Sequence, residues 1–298
     1  QTIQPQWSPD GYLLVYDTIA AAYIVRDQAG TEIARFPNTT GYPGSWDPTG
    51  EYFIAPEIFY ESTLPSEPDT IGVSYLIRYS LLDGSTQILS EKNNLEDAFP
   101  AFAPSGAKLA FTRKYLDTTR WTPGRQVWLM DLNGANAHPI NNESVYNHFD
   151  FTWSPDGRLL ASGDYAGNLF LWEVSTGIKQ QPALNRGRNE SPYLNSLAFS
   201  PDGKLLAYGL DNDIILWEVV KEPQGGTGLN RGKTLAGKDA GIIKPFIDLS
   251  FSPDGKTLAA KNFDGTVILW DVSTGTAIGS TFSEVYKPKT GKMSVGRQ

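Results

Sequence analysis

The chain has 298 residues, 40% apolar and 19% charged, with 29 glycines, 20 prolines and a net charge of −8 at a pI near 4.9. That balance argues against a nucleic-acid partner, which needs clustered Lys and Arg, and the lack of any cysteine excludes disulfides, thiolate nucleophiles and Cys-ligated metal. No run of eighteen apolar residues occurs, so no membrane-spanning helix is expected.

The first predicted strand, Thr2 to Trp7, ends in Ser8-Pro9-Asp10-Gly11. Proline presets φ, aspartate hydrogen-bonds its own backbone and glycine takes the positive φ, so the tetrapeptide reads as a hairpin turn. Strands near Tyr12–Tyr16, Tyr23–Arg26 and Glu32–Phe36 complete the unit. The turn recurs in full at Trp153–Gly157, Phe199–Gly203 and Phe251–Gly255, and loosely at Trp46–Gly50 and Phe102–Gly106. The closing glycines lie 39, 56, 51, 46 and 52 residues apart, a period that means a repeat architecture. Each copy separates two short apolar runs, and third strands follow at Leu169–Val174, Ile214–Val219 and Val267–Val272. The expected fold is all-β: a six-bladed β-propeller of four-stranded antiparallel blades, about 1–38, 39–93, 94–144, 145–190, 191–240 and 241–285, with a basic tail or linker over 286–298. Seven blades is the alternative for a truncated chain. Unit one starts on its innermost strand and unit six ends on an outer strand near Ala277–Phe282, so closure is expected by packing of blade one on blade six.

Units four to six, with Ser-Pro-Asp-Gly in the first hairpin and Leu-Trp-Glu/Asp-Val in the third strand, resemble WD repeats. Units one and three are more similar to the TolB-type propeller repeat, through Phe99–Gly106, Leu109–Arg113 and Val127–Asp131. The resemblance covers roughly residues 1 to 285; it implies a fold and is nearly silent on activity. In the WD family a Gly-His pair ahead of the first strand joins an internal hydrogen-bond network. Here His138 follows Ala137 and His148 follows Asn147, so the blades are expected to be locked in another way.

Tryptophan sorts the candidate contacts. Trp7, Trp46, Trp153, Trp128, Trp172, Trp217 and Trp270 sit in the repeat and are expected between blades. Trp121 lies off-repeat in an insertion, Lys114 to Arg125, beside Arg120 and near Tyr115. A longer insertion, Pro56 to Val73, contains Tyr60, and a third, Asn185 to Pro192, is followed by Tyr193 and contains Arg186 and Arg188. These loops are expected on one face of the disc, so Tyr60, Tyr115, Arg120, Trp121, Arg186, Arg188 and Tyr193 are the candidate protein-binding residues. A further insertion, Lys221 to Lys233, should emerge opposite. Between Asp47 and Asp97 ten acids face Arg78 and Lys92, a solvated rim able to steer a basic partner.

Catalytic patterns mostly fail: no Gly-x-Ser-x-Gly elbow is present, and Thr227 to Thr234 only nearly matches a phosphate loop. Asp150 and Asp248 sit three residues before Trp153 and Phe251 and, with His148, are the candidates for the channel mouth. The favoured expectation is a non-catalytic protein-binding scaffold without metal or cofactor. The alternative is an extracytoplasmic enzyme or a sugar- or metal-binding module. The start at Gln1 and acceptor patterns at Asn38, Asn142 and Asn189 tilt the expectation toward a secreted or periplasmic location.

Overall fold

The computed structural model describes residues 2–42, 44–62, 70–91, 93–117, 119–140, 143, 148–164, 167–180, 196–221, 226–237, 241 and 245–283. Their strands form four four-stranded sheets and one eight-stranded sheet, the last divided here into two four-stranded units, two and three. Unit one holds β1 (Thr2–Trp7), β2 (Leu13–Asp17), β3 (Ala22–Arg26) and β4 (Glu32–Pro37). Unit two holds β5 (Ser45–Trp46), β6 (Tyr52–Ser62), β7 (Thr70–Ser80) and β8 (Thr86–Ile88). Unit three holds β9 (Leu95–Phe102), β10 (Lys108–Tyr115), β11 (Gln126–Asp131) and β12 (His138–Pro139). Unit four is β13 (His148–Trp153), β14 (Leu159–Asp164), β15 (Leu169–Glu173) and β16 (Ile178–Gln180). Unit five is β17 (Leu197–Phe199), β18 (Leu205–Leu210), β19 (Asp213–Lys221) and β20 (Thr227–Ala236), and unit six is β21 (Phe246–Phe251), β22 (Thr257–Asn262), β23 (Thr266–Asp271) and β24 (Ala277–Ser283). Every pairing within a unit is antiparallel, and units two and three are joined by one parallel contact, Ser74 with Glu96.

The period-2 alternation of each middle strand buries one set of side chains against each neighbouring unit. Leu159, Ala161, Leu169 and Leu171 of unit four meet Leu197, Phe199, Leu206 and Tyr208 of unit five. The opposite face of unit five, Ala207, Ile214 and Leu216, meets Phe246, Leu258, Ile268 and Trp270 of unit six. The repeated turns nest in the same sense. A Cβ built on Gly106, Gly157, Gly203 or Gly255 would lie 3.5–3.8 Å from Pro48, Pro104, Pro155 or Pro201 of the preceding turn.

Six of the seven repeat tryptophans are buried, but Trp7 is 62% exposed. Trp153 donates its Nε1–H to Ala101 O of the preceding unit at 3.1 Å, and Trp46 approaches Gln6 O at 3.4 Å. The series breaks at unit one, where the nearest atoms to a Cβ on Gly11 belong to Gln28 of the same unit. The hairpin differs too: β1 pairs Trp7 with Leu13, one residue out of step with Trp46–Phe53 and Trp153–Leu160. A one-residue slip turns a strand's side chains to the other face, and Trp7 leaves the position its counterparts hold.

A histidine lock of the kind that the missing Gly-His pair argued against is present in unit four. His148 is 1% exposed; its Nδ1 lies 3.2 Å from Ser162 Oγ, which accepts the Nε1–H of Trp172 at 2.9 Å. Burial drives the imidazole pKa down to about 3, so the ring is neutral in this core. His148 therefore packs on Phe170 and Trp172 rather than opening on a channel. The register places Arg113, Tyr208 and Ala260 where Ser162 stands, and the buried Nε1 atoms of Trp128, Trp217 and Trp270 have no acceptor among the described residues.

Asn38 is also a core residue, 1% exposed. Its amide donates to Tyr79 Oη at 2.8 Å and Pro56 O at 3.2 Å, while Oδ1 accepts from Thr40 and Gly41. It is thus unavailable as a glycan acceptor; Asn142 and Asn189 lie outside the described residues.

Candidate functional site

Two of the expected loops are strands. β6 and β7 remain paired from Tyr52–Ser80 to Ser62–Thr70, so most of the insertion from Pro56 to Val73 continues the ladder as a ribbon. Proline discourages a strand reading because it cannot donate to a ladder. Here the Pro56 carbonyl faces Asn38 and Thr40, on the side away from β7, so the missing N–H removes no ladder bond. Likewise Lys221 to Lys233 falls largely within the β19–β20 hairpin.

The ribbon leans over the inner strand of unit three and forms a cleft of about 310 Å3. Ile58, Tyr60, Gly72 and Val73 of the ribbon, Ala98 and Phe99 of β9, and Tyr42 line it. Tyr60 is 77% and Tyr42 48% exposed. Phe99 has a φ of +53°, an unusual conformation for an aromatic residue. It and Pro100 form a bulge opposite Phe111, because Ala101 pairs with Ala110 and Ala98 with Thr112. Strain of this kind gathers at binding sites. Polar lining comes from Ser74 and from the ion pair of Glu96 with Arg125 at 2.6 Å.

Beside the cleft, Arg113 (2% exposed) holds Asp97 (0%) in two hydrogen bonds of 2.7 Å and lies over the Trp128 ring. Arg120 stacks on Tyr115 at 4.2 Å, pairs with Asp117 at 2.6 Å and donates to Asn93 O. Those bonds from Arg120 hold the Asp117 carboxyl well below its usual range. Tyr115 is half-buried and donates to Glu91 at 3.2 Å. Arg120 and Tyr115 thus serve first to fix their own loop, which carries the 59% exposed Trp121. Tyr60 and Trp121 are the open members of the candidate set; Arg186, Arg188 and Tyr193 lie outside the described residues. Tyr42, Gly72, Phe99 and Arg125 were missed by sequence reasoning. The available signal was Phe99-Pro100 inside a strand pattern, which marks a bulge.

The two candidate carboxylates differ. Asp150 accepts the N–H of Phe151 at 2.9 Å and that of Leu197 at 3.1 Å, latching unit four to unit five. Burial pushes its carboxyl up to about 7 against those two bonds, and the charge of Asp248 adds to the rise. Asp248 is exposed on β21; desolvation by the surrounding protein raises its carboxyl, opposed by Lys261.

The profile described as "WD domain, G-beta repeat" matches residues 137–173, 185–218 and 232–271. The β-propeller domain of Cps50 (Swd1) from Myceliophteria thermophila superposes with a TM-score of 0.67 at 13% identity, over 96% of this chain and 88% of that one. Three stretches of the chain thus match the WD repeat, and its fold is that of a β-propeller. Its matched repeats cover the end of unit three through unit six; the TolB-type likeness of units one and three has no counterpart in that match. Among relatives, the β chain of the guanine nucleotide-binding protein of Saccharomyces cerevisiae is 30% identical over 163 residues, 53% of this chain and 36% of that protein. Small ribosomal subunit protein RACK1 of Drosophila melanogaster is 28% identical over 163 residues, 51% and 45% respectively. A chromatin assembly factor 1 component of Gallus gallus is 28% identical over 151 residues, 45% and 26%. The chain aligns with less than half the length of each of these curated relatives. No helix among its described residues is long and apolar enough to cross a membrane.

Proposed function

We propose that this WD-repeat propeller is a non-catalytic scaffold that binds another protein on the face carrying the insertions of blades two to four. The observation that carries the reading is the cleft between the blade-two ribbon and blade three, lined by the exposed Tyr42 and Tyr60 and by Phe99 at a positive φ. Aromatic side chains give large contact area at low entropic cost, and interface hot spots concentrate in them. The relatives of this architecture are themselves named as parts of assemblies: RACK1 of the small ribosomal subunit, chromatin assembly factor 1 and the G-protein β chain. The enzymatic alternative is weakened because Asp150 is engaged in a blade-to-blade latch. A secreted or periplasmic setting finds no support in these relatives, all from eukaryotes, or at the buried Asn38. We read the six units as blades of one ring; the unsealed position at Trp7 is where a seventh would enter.

The test is affinity capture from an extract of the source organism with the wild-type chain, Tyr60→Ala and Trp121→Ala. Partners that are retained by wild type and lost from both variants, at unchanged melting temperature, support the reading. Equal recovery by all three chains would exclude this face.

A further inference from the structure

The ribbon has an open side. Beyond Phe53 and Ile54, which pair with β5, no strand among the described residues lies along β6 opposite β7. The Pro56 carbonyl points to that side, and main-chain groups of an antiparallel strand alternate direction. The N–H and C=O groups of Ile58 and Tyr60 therefore face it as well, and no described residue bonds to them. The side chains of the same two residues line the cleft. An open row of main-chain donors and acceptors beside a pocket for alternate side chains is the geometry that captures an extended peptide by strand addition. The surrounding charge is one-sided. Between Asp47 and Asp97 ten acids stand against Arg78 and Lys92, and Arg78 is turned onto the Tyr52 ring. Outside that stretch, Arg125 at the cleft is neutralised by Glu96.

We propose that the open edge of β6 takes an extended peptide segment of a partner protein, with apolar side chains at alternate positions seated between Ile58, Tyr60 and Phe99 and with flanking Lys or Arg. This rests on the protein-binding reading and specifies its ligand. The strand's hydrogen bonds fix the peptide's register, its alternate side chains fill the cleft, and the acidic rim draws its cations.

Gly72 gives a clean block. It lies opposite Tyr60, and a Cβ added there meets Ile58 Cγ2 at 3.7 Å and Tyr60 Cε1 at 3.8 Å, ordinary contacts. Gly72→Val thus narrows the cleft without a clash at Cβ. The experiment selects a displayed library of random twelve-residue peptides on the full chain and measures the enriched peptides by fluorescence anisotropy. Enriched sequences should alternate apolar residues with Lys or Arg, and bind Gly72→Val and Tyr60→Ala about tenfold more weakly. N-methylation of one alternate set of peptide amides should abolish binding while the other set tolerates it. Enriched peptides that ignore Gly72→Val, or tolerate N-methylation of both sets, overturn strand addition. An unenriched library overturns it too; if Tyr60-dependent partners are still captured from extract, the protein-binding reading stands without it, and if they are not, both fall. Circular dichroism and melting of Gly72→Val establish that it is folded, and Tyr60→Ala supplies an independent variant if it is not.

Discussion

Ser162→Ala tests the blade-four lock with a change of one oxygen atom. Ser162 is wholly buried and its hydroxyl serves two neighbours, accepting from Trp172 Nε1 at 2.9 Å and contacting His148 Nδ1 at 3.2 Å. Removing it leaves both ring nitrogens without that partner in a core 0–1% exposed. Stranding a buried polar group costs about 1–3 kcal/mol, so loss of both contacts should cost about 2–6 kcal/mol, more than the small void left by one oxygen. Unit six offers the reverse experiment. Ala260 occupies the Ser162 position, and the buried Trp270 Nε1 has no acceptor among the described residues. Ala260→Ser should supply one and raise stability by about 1 kcal/mol, the net value of one hydrogen bond. Urea unfolding read by Trp fluorescence gives both, as midpoint shifts at unchanged slope. A Ser162→Ala shift below about 0.5 kcal/mol, or an Ala260→Ser variant as destabilised as Ser162→Ala is expected to be, refutes the lock.

The other predictions follow from burial and charge. His148, held near 3 when folded, binds a proton far more readily when unfolded; its contribution is complete above about pH 6.5 and fades as pH falls toward 3. Asp150, raised to about 7, works in the opposite sense: the folded state holds its proton up to higher pH, so stability falls as pH rises from about 4 to about 7. Melting temperatures from pH 4 to 8 should therefore show His148→Gln and Asp150→Asn diverging from wild type with slopes of opposite sign; parallel curves would contradict both assignments. Asp97→Asn leaves the buried Arg113 guanidinium without its bidentate partner and should cost about 3–5 kcal/mol in chemical denaturation, against a null result if the pair is dispensable. Trp153→Ala should cost about 3–5 kcal/mol, whereas Trp7→Ala should stay within about 0.5 kcal/mol of wild type; comparable losses would show Trp7 sealed in solution.

What is legible in the sequence is what the repeat enforces. Each Pro-Asp-Gly turn must nest on its predecessor and each third-strand tryptophan must fit between two sheets, so the same constraint is written several times over. The four-strand units and six buried indoles follow from that redundancy. Trp7 carries the same local words, but its environment depends on a neighbour that the local words do not specify. The ribbon reads as a loop because Pro56, Ser and Glu depress strand propensity. Its ladder survives because Pro56 turns its missing N–H away from β7, a fact of hydrogen-bond direction that no composition window contains. The absence of a glycine before His148 argues against a lock in sequence terms. The lock depends on where the imidazole lies relative to Ser162 and Trp172, and the glycine is no part of that contact. Phe99 is hardest to see, since its positive φ arises from a bulge set by the pairing of β9 with β10.

An open strand edge invites pairing with any available strand, including that of a second copy of the same chain. The ribbon's sequence guards against the second case: Glu57 and Glu61 lie on β6, with no Lys or Arg between Glu51 and Arg78. Two such ribbons meeting edge to edge would set like charges opposite one another, which is destabilising across paired strands. A basic strand meets the same edge with attraction. The acids that make the insertion read as a solvated rim thus bias an adhesive edge against self-pairing and toward an oppositely charged partner, with affinity supplied by main-chain bonds and selection by charge. On that account, neutralising the ribbon's acids with Gln should weaken capture of basic peptides and raise self-association in sedimentation experiments at the same time. A loss of capture with no rise in self-association would mean that the charges serve the partner alone.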